Sequence, residues 1–360
     1  MLVRHRGTLL AAVAAVAVLL PLGWLWKTSL LPSTYSVMDM GYADFGVGRK
    51  AVATDGHQNM PGMAHGASVA SLTGPKGRTA DVNVTLVARK QQFRLPSGES
   101  VSGYTFNGTS PGPQIRAVQG QLVKVRLVNR SVPDGVTLHW HGLDVPNAED
   151  GVSGVTQDAV RVGGSYTYQF VVKQAGTFWY HSHQVSHEQV AGGLLGPIVI
   201  APKPAAVSRG PRAAGTGTST APAVDQLAMV HLYGGVRTVN GRSGDTRIAA
   251  SPGSRVRVRV INSDNGPMSA WVTGSAYRLV AVDGTDLNKP TPVTDAAVMV
   301  TAGGRADLEV QVPADGSAVR VVLGGKAALV LGPTAGPAPP KGGRPKKTLD
   351  LLTYGSPTAV

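Results

Sequence analysis

Residues 122–127 read Leu-Val-Lys-Val-Arg-Leu and residues 255–260 read Arg-Val-Arg-Val-Arg-Val, with apolar side chains recurring at every second position. Successive side chains of an extended chain point to opposite sides, so this period describes a strand with one face on a core and one face polar. Both stretches sit in a longer internal repeat. With a shift of 133, Ile115, Ala117, Gly120, Val123, Val125 and Asn129 match Ile248, Ala250, Gly253, Val256, Val258 and Asn262; with a shift of 140, Gly163, Gly164 and Gly176 match Gly303, Gly304 and Gly316. Each copy is the size of one β-sandwich, which predicts two copies of one fold.

The rest of the chain fits an all-β reading. Of 360 residues, 46 are Gly and 25 are Pro, and they punctuate short apolar runs as turns do. The copies span residues 80–202 and 224–334, joined by a Pro/Ala/Gly/Ser/Thr-rich linker at 203–223 and followed by a second linker at 335–360. Residues 1–31 carry Arg4, His5 and Arg6 ahead of an uncharged apolar run from Thr8 to Trp26. Such a run is long enough to cross a bilayer, and its positive flank predicts a single-pass anchor in the cell membrane with the domains on the extracytoplasmic side. Secretion after cleavage of a signal peptide is the alternative. Residues 32–79 form a polar, Gly-rich segment expected to be a flexible arm; its Met38, Met40, His57, Met60, Met63 and His65 either hold Cu(I) weakly or belong to a plain spacer. The net charge of +13 comes with no basic helix and no nucleic-acid motif, so no nucleic-acid partner is expected. The basic cluster from Lys341 to Lys347 lies among Gly and Pro and reads as solvated linker.

Four of the nine histidines fall into two His-x-His pairs, His139/His141 and His181/His183. In a strand, residues i and i+2 share a face, so each pair can serve one site, and two pairs brought together offer four neutral imidazoles suited to copper, zinc or iron. The sequence contains no cysteine, which excludes disulfides, thiol catalysis and any thiolate metal site.

The words around these pairs carry a family resemblance. YTFNGTSPGPQIRAVQGQLVKVRLVNRS from Tyr104, VTLHWHGLDVPNAEDGV from Val136, GSYTYQFVVKQAGTFWYHSH from Gly164 and GGLLGPIVI from Gly192 resemble the first cupredoxin domain of multicopper oxidases. VNGR from Val239, SPGSRVRVRVINS from Ser251, LVAVDG from Leu279 and VTAGGRADLEV from Val300 are similar to their middle domain. The resemblance implies cupredoxin-like Greek-key sandwiches and a laccase-like copper oxidoreductase that passes electrons from a reductant to dioxygen, forming water. It implies that the first domain supplies half of the ligands of a trinuclear copper cluster, His139 for the type 2 copper and His141, His181 and His183 for the type 3 pair. Asp150 matches a carboxylate that lies near the cluster and assists proton delivery; read by itself, it is equally an Asp-Gly turn residue. His187 and Glu188, just beyond the second pair, are read either as groups that orient a ligand ring or as surface residues. Under the two shifts the four histidines align with Val272, Gly274, Val321 and Leu323, so the second copy carries none of the ligands.

The sequence departs from the resemblance in two respects. No His-Cys-His segment for a blue copper exists, and no histidine follows His231. The expectation is a part of a three-domain oxidase without its C-terminal cupredoxin domain, inactive alone. Two alternatives stand beside it: a membrane-tethered cupredoxin scaffold for a partner protein, and a copper-binding protein that uses the half-site without oxidase activity.

Overall fold

The two alternating stretches are the central strands of two β-barrels. The computed structural model describes residues 15–27, 69–204, 224–335, 339 and 342–356. In the first barrel the strands are β1 (Val82–Arg94), β2 (Ser100–Phe106), β3 (Ile115–Val118), β4 (Leu122–Asn129), β5 (His139–His141), β6 (Ser165–Val171), β7 (Gly176–His181) and β8 (Leu195–Ala201). They form two four-stranded sheets, ordered β2-β1-β4-β6 and β3-β8-β7-β5. Between the sheets lie Leu86, Phe106, Val125, Leu127, Trp140, Tyr168, Phe170, Phe178 and Tyr180, all buried.

The second barrel has a seven-stranded and a six-stranded sheet. The first contains β9 (Val224–Tyr233), β10 (Val236–Val239), β11 (Arg242–Ser243), β13 (Arg255–Asn262), β15 (Tyr277–Val282), β16 (Thr285–Asp286) and β18 (Arg305–Gln311). The other contains β12 (Asp245–Ala249), β14 (Met268–Thr273), β17 (Ala296–Val300), β19 (Val319–Leu323), β20 (Ala327–Gly332) and β21 (Lys347–Thr348). The repeat read from the sequence reappears as strand register. The pair Val123↔Phe170 corresponds to Val256↔Val310, Ile115↔Ile198 to Ile248↔Leu331, and His139↔His181 to Val272↔Val321. Both barrels also begin alike, with a parallel pairing of the first strand to the repeat strand, β1 to β4 and β9 to β13.

The barrels share an apolar seam made by Trp179, Val190 and Leu195 of the first and Leu227, Met229 and Ile261 of the second. A smaller contact joins Phe93, Leu95 and Tyr233. This seam explains why β7 is buried along its whole length. Phe178 and Tyr180 point into the first core, whereas Thr177, Trp179 and His181 point the other way, where the second barrel covers Thr177 and Trp179.

Two stretches expected to be free lie against the barrels. From Val69 onward the end of the arm packs on the first barrel, the buried Glu149 carboxylate accepting hydrogen bonds from the backbone of Gly74 and Gln169. Beyond residue 341, Lys347 and Thr348 pair with Ala296 and Ala297, and the Tyr354 hydroxyl donates to the Thr291 carbonyl, so this segment follows the edge of the second barrel. Near the N-terminus, residues 15–27 form a helix, α1, with Leu19, Leu20, Trp24 and Trp26 exposed. Among the described residues no helix is long and apolar enough to cross a membrane. The start of the apolar run, the arm's Met38, Met40, His57, Met60, Met63 and His65, and most of the 203–223 linker lie outside the described residues.

Candidate metal centre

The short strand β5 places Trp140 in the core and His139 and His141 on the opposite face. Trp140 is fully buried, and its indole N–H donates to the Glu149 carbonyl at 2.8 Å, which fixes the strand and therefore both flanking imidazoles. Antiparallel pairing sets His139 opposite His181 and His141 opposite Trp179. The His141 ring stacks on Trp179 with centroids 4.7 Å apart and planes 25° apart, and His181 lies 4.4 Å from the same indole.

One nitrogen from each of His139, His141 and His181 can be chosen so that all three lie within 4.8 Å of one another. His183 stands just past the end of β7, its ring 5.2 Å from that of His139 and 6.2 Å from that of His181. The structure thus brings together the four histidines singled out in the sequence, three in a tight group and the fourth beside it.

Hydrogen bonds decide which nitrogens remain for a metal. His139 Nδ1 lies 3.0 Å from the Asp150 carbonyl and 3.2 Å from its carboxylate, so this nitrogen carries the proton and Nε2 keeps its lone pair. His181 Nδ1 faces the Ser182 carbonyl at 2.9 Å, leaving its Nε2 3.4 Å from His141 Nδ1. Asp150 is therefore a neighbour of one imidazole, part-exposed, at the end of the short 3-10 turn Asn147–Glu149.

Burial and mutual repulsion keep most of the group uncharged. The His141 pKa is pushed down to about 4 by burial and by the nearby Arg305 guanidinium. Burial pulls His181 well down and lowers His183, with further repulsion from His139 in both cases. For His139 burial also acts downward, but the hydrogen bonds and charge of Asp150 outweigh it and raise the pKa. Asp150 is in turn lowered by its hydrogen bond to His139. Neutral imidazole is the ligating form, so this donor set fits a copper or similar ion.

His187 and Glu188 do not orient these rings. They are exposed at the start of the helix α2 (Ser186–Ala191), where His187 Nδ1 meets the Asn265 amide and Glu188 accepts from the Tyr104 hydroxyl. The side chains that do brace the site were not legible as such. Trp179 is a platform under two imidazoles, Ser182 and Gln189 hydrogen-bond beneath the second pair, and Gly303 and Arg305 reach across from the second barrel. Only the alternation within β7 hinted that Thr177, Trp179 and His181 share a face.

Two joined β-sandwiches with imidazoles converging at a sheet edge make a cupredoxin-like fold with a candidate metal centre. Residues 88–205 match the multicopper oxidase family. The chain is similar to laccase-1 of Botryotinia fuckeliana, 32% identical over 212 residues, which is 52% of this chain and 36% of that protein. It is 41% identical over 104 residues to a copper resistance protein A homolog of Pseudomonas syringae pv. tomato, 29% of this chain and 17% of that one. The chain thus spans well under half the length of these relatives. Among solved structures it resembles a multi-copper oxidase from Pseudomonas thermotolerans, with a TM-score of 0.61 and 26% identity over 74% of this chain and 68% of the other.

Proposed function

We propose that the first barrel supplies half of an oxygen-reducing copper cluster, with His139 as the type 2 ligand and His141, His181 and His183 as ligands of the type 3 pair. The observation that carries this reading is the convergence of three imidazole nitrogens within 4.8 Å, two of them on rings, His141 and His181, that burial holds neutral. Relatives named as a laccase and a copper resistance protein support copper as the metal. Copper bound there, as part of a complete cluster, would take electrons singly from a reductant and pass four of them, with four protons, to dioxygen to give two waters.

The chain's own residues have distinct tasks in this scheme. His139 and His181 present Nε2 because their Nδ1 atoms are occupied by the Asp150 and Ser182 carbonyls. Trp179 and the second barrel close the site on one side against water. Asp150, whose carboxylate lies 3.2 Å from His139 Nδ1 and reaches solvent, is the group assigned to proton delivery.

The sequence holds no thiolate for a blue copper and no histidine after His231. In this reading the opposing histidines and the blue copper come from a cupredoxin domain outside the two barrels, and the chain alone binds copper without turnover. The apolar run ending at Trp26 tethers the barrels to the outer face of the cell membrane; release of the chain by alkaline carbonate wash would remove that tether from the scheme.

The test is Cu(II) titration of the purified chain by calorimetry, followed by oxygen uptake with phenolic, Cu(I) and Fe(II) reductants. Copper binding that disappears in the His139→Ala/His181→Ala double variant, without oxygen uptake, is the expected result. A chain that takes up no copper leaves the scaffold reading standing and this one overturned.

A further inference from the structure

We infer that the second barrel positions the copper ligand His141 through the turn that joins β17 to β18, with Gly303 as the positioning residue. This rests on the half-site reading above, and it assigns a task to a barrel that has no metal ligands of its own.

A Cβ built on Gly303 would lie 2.7 Å from His141 Cε1 and 3.0 Å from Nε2, but 3.7 Å from Nδ1. The turn therefore lies flat against one edge of the imidazole and leaves free the edge whose Nδ1 faces His181 Nε2 at 3.4 Å. From the same residue, the Gly303 carbonyl accepts a hydrogen bond from the Trp179 indole at 3.2 Å. That indole is the surface on which His141 stacks. One glycine thus limits the ring from its edge and fixes the platform beneath its face.

Arg305, two residues on, secures the turn to the first barrel. Its guanidinium donates to the Thr177 carbonyl at 3.3 Å and to the Asp283 carbonyl at 3.0 Å. It also fills the space where a side chain on Gly142, the residue after His141, would stand. His141 is consequently limited at its edge by the other barrel and stacked on a platform that the other barrel pins, while Arg305 packs beside the next residue, Gly142. A metal site needs its donors fixed to within a fraction of an ångström, and residues that orient a ligand without touching the metal strongly affect its affinity.

The fold supplies its own control. Gly163 occupies the equivalent turn of the first barrel, with φ +83° against +71° at Gly303, and a Cβ there meets nothing within 4 Å. Gly163→Ala and Gly303→Ala therefore impose the same kind of backbone strain, and only the second pushes on His141.

The experiment uses the full chain and Cu(II) sulfate, reading affinity by calorimetry, the Cu(II) hyperfine pattern by electron paramagnetic resonance, and folding by circular dichroism. Gly303→Ala is expected to weaken Cu(II) binding by about ten-fold or more and to change the hyperfine pattern, while Gly163→Ala does neither. In a His141→Ala background, Gly303→Ala should have no further effect on affinity, since it acts through that ring. Equal losses in Gly303→Ala and Gly163→Ala, an unchanged spectrum, or a full effect of Gly303→Ala without His141 would each overturn the inference while leaving the half-site intact. Absence of copper binding in the unsubstituted chain would overturn both.

Discussion

Asp150 sets the protonation of His139 against that of its three companions. Burial pulls all four imidazoles toward the neutral form, yet the Asp150 hydrogen bonds reverse the balance at His139 and raise its pKa, while His141 falls to about 4 and His181 and His183 are lowered. Copper competes with protons for the ligating nitrogens, so affinity rises with pH while any ligand remains protonated. On going up from acid pH, His139 is the last to lose its proton, and the curve should flatten only above the ordinary histidine value near 6.5. Asp150→Asn removes the charge that holds that proton. The variant should reach its plateau at lower pH, with a plateau affinity reduced about ten-fold because the ring is less firmly oriented. Calorimetric Cu(II) titrations from pH 5 to 8 measure both quantities, and an unmoved inflection would mean that Asp150 is a turn residue only.

At the scale of the strand, β7 and β13 show how two barrels become one structure. Thr177 on β7 donates to the Asp307 carboxylate at 2.9 Å, and Asp307 also accepts from Arg257 at 2.8 Å and Arg259 at 3.0 Å. Arg259 continues to Asp225 with two further bonds, so its guanidinium is satisfied although buried. Removing one partner from such a buried network leaves charge without compensation. Asp307→Ala should destabilise the chain by about 3–5 kcal/mol and Thr177→Val by about 1 kcal/mol, read from urea unfolding midpoints; equal small effects would mean that solvent reaches the network. The alternation at residues 255–260 was enough to place Val256, Val258 and Val260 in a core. It left Arg257 and Arg259 simply on the polar face, because a period of two says which residues share a face and nothing about what covers that face. The same limit hid Gly303: its likeness to Gly163 marked a turn, but the contact with His141 depends on how the barrels dock. The histidine pairs needed no such knowledge, since their spacing along single strands already fixed a common face.

Across the whole molecule, two similar barrels carry one histidine cluster: the positions of His139 and His181 are occupied in the second copy by Val272 and Val321, paired in the same register. The copy without the histidine cluster braces the copy that has it, through the seam of Trp179, Leu195, Met229 and Ile261 and through Gly303 and Arg305. Separating the barrels would expose that apolar seam and strand Arg259 and Asp307 without Thr177. Residues 69–356 should accordingly melt in one transition. A ligand that binds only the folded state stabilises by about 2.7 kcal/mol at one hundred times its dissociation constant, which for a cooperative unit of this size is a rise of roughly 4–5 °C. Since the metal site draws support from both barrels, Cu(II) should raise that single midpoint as a whole. Calorimetric scans with and without Cu(II) decide the matter: two resolved transitions, with copper moving only one of them, would show that the second barrel folds independently of the site it covers.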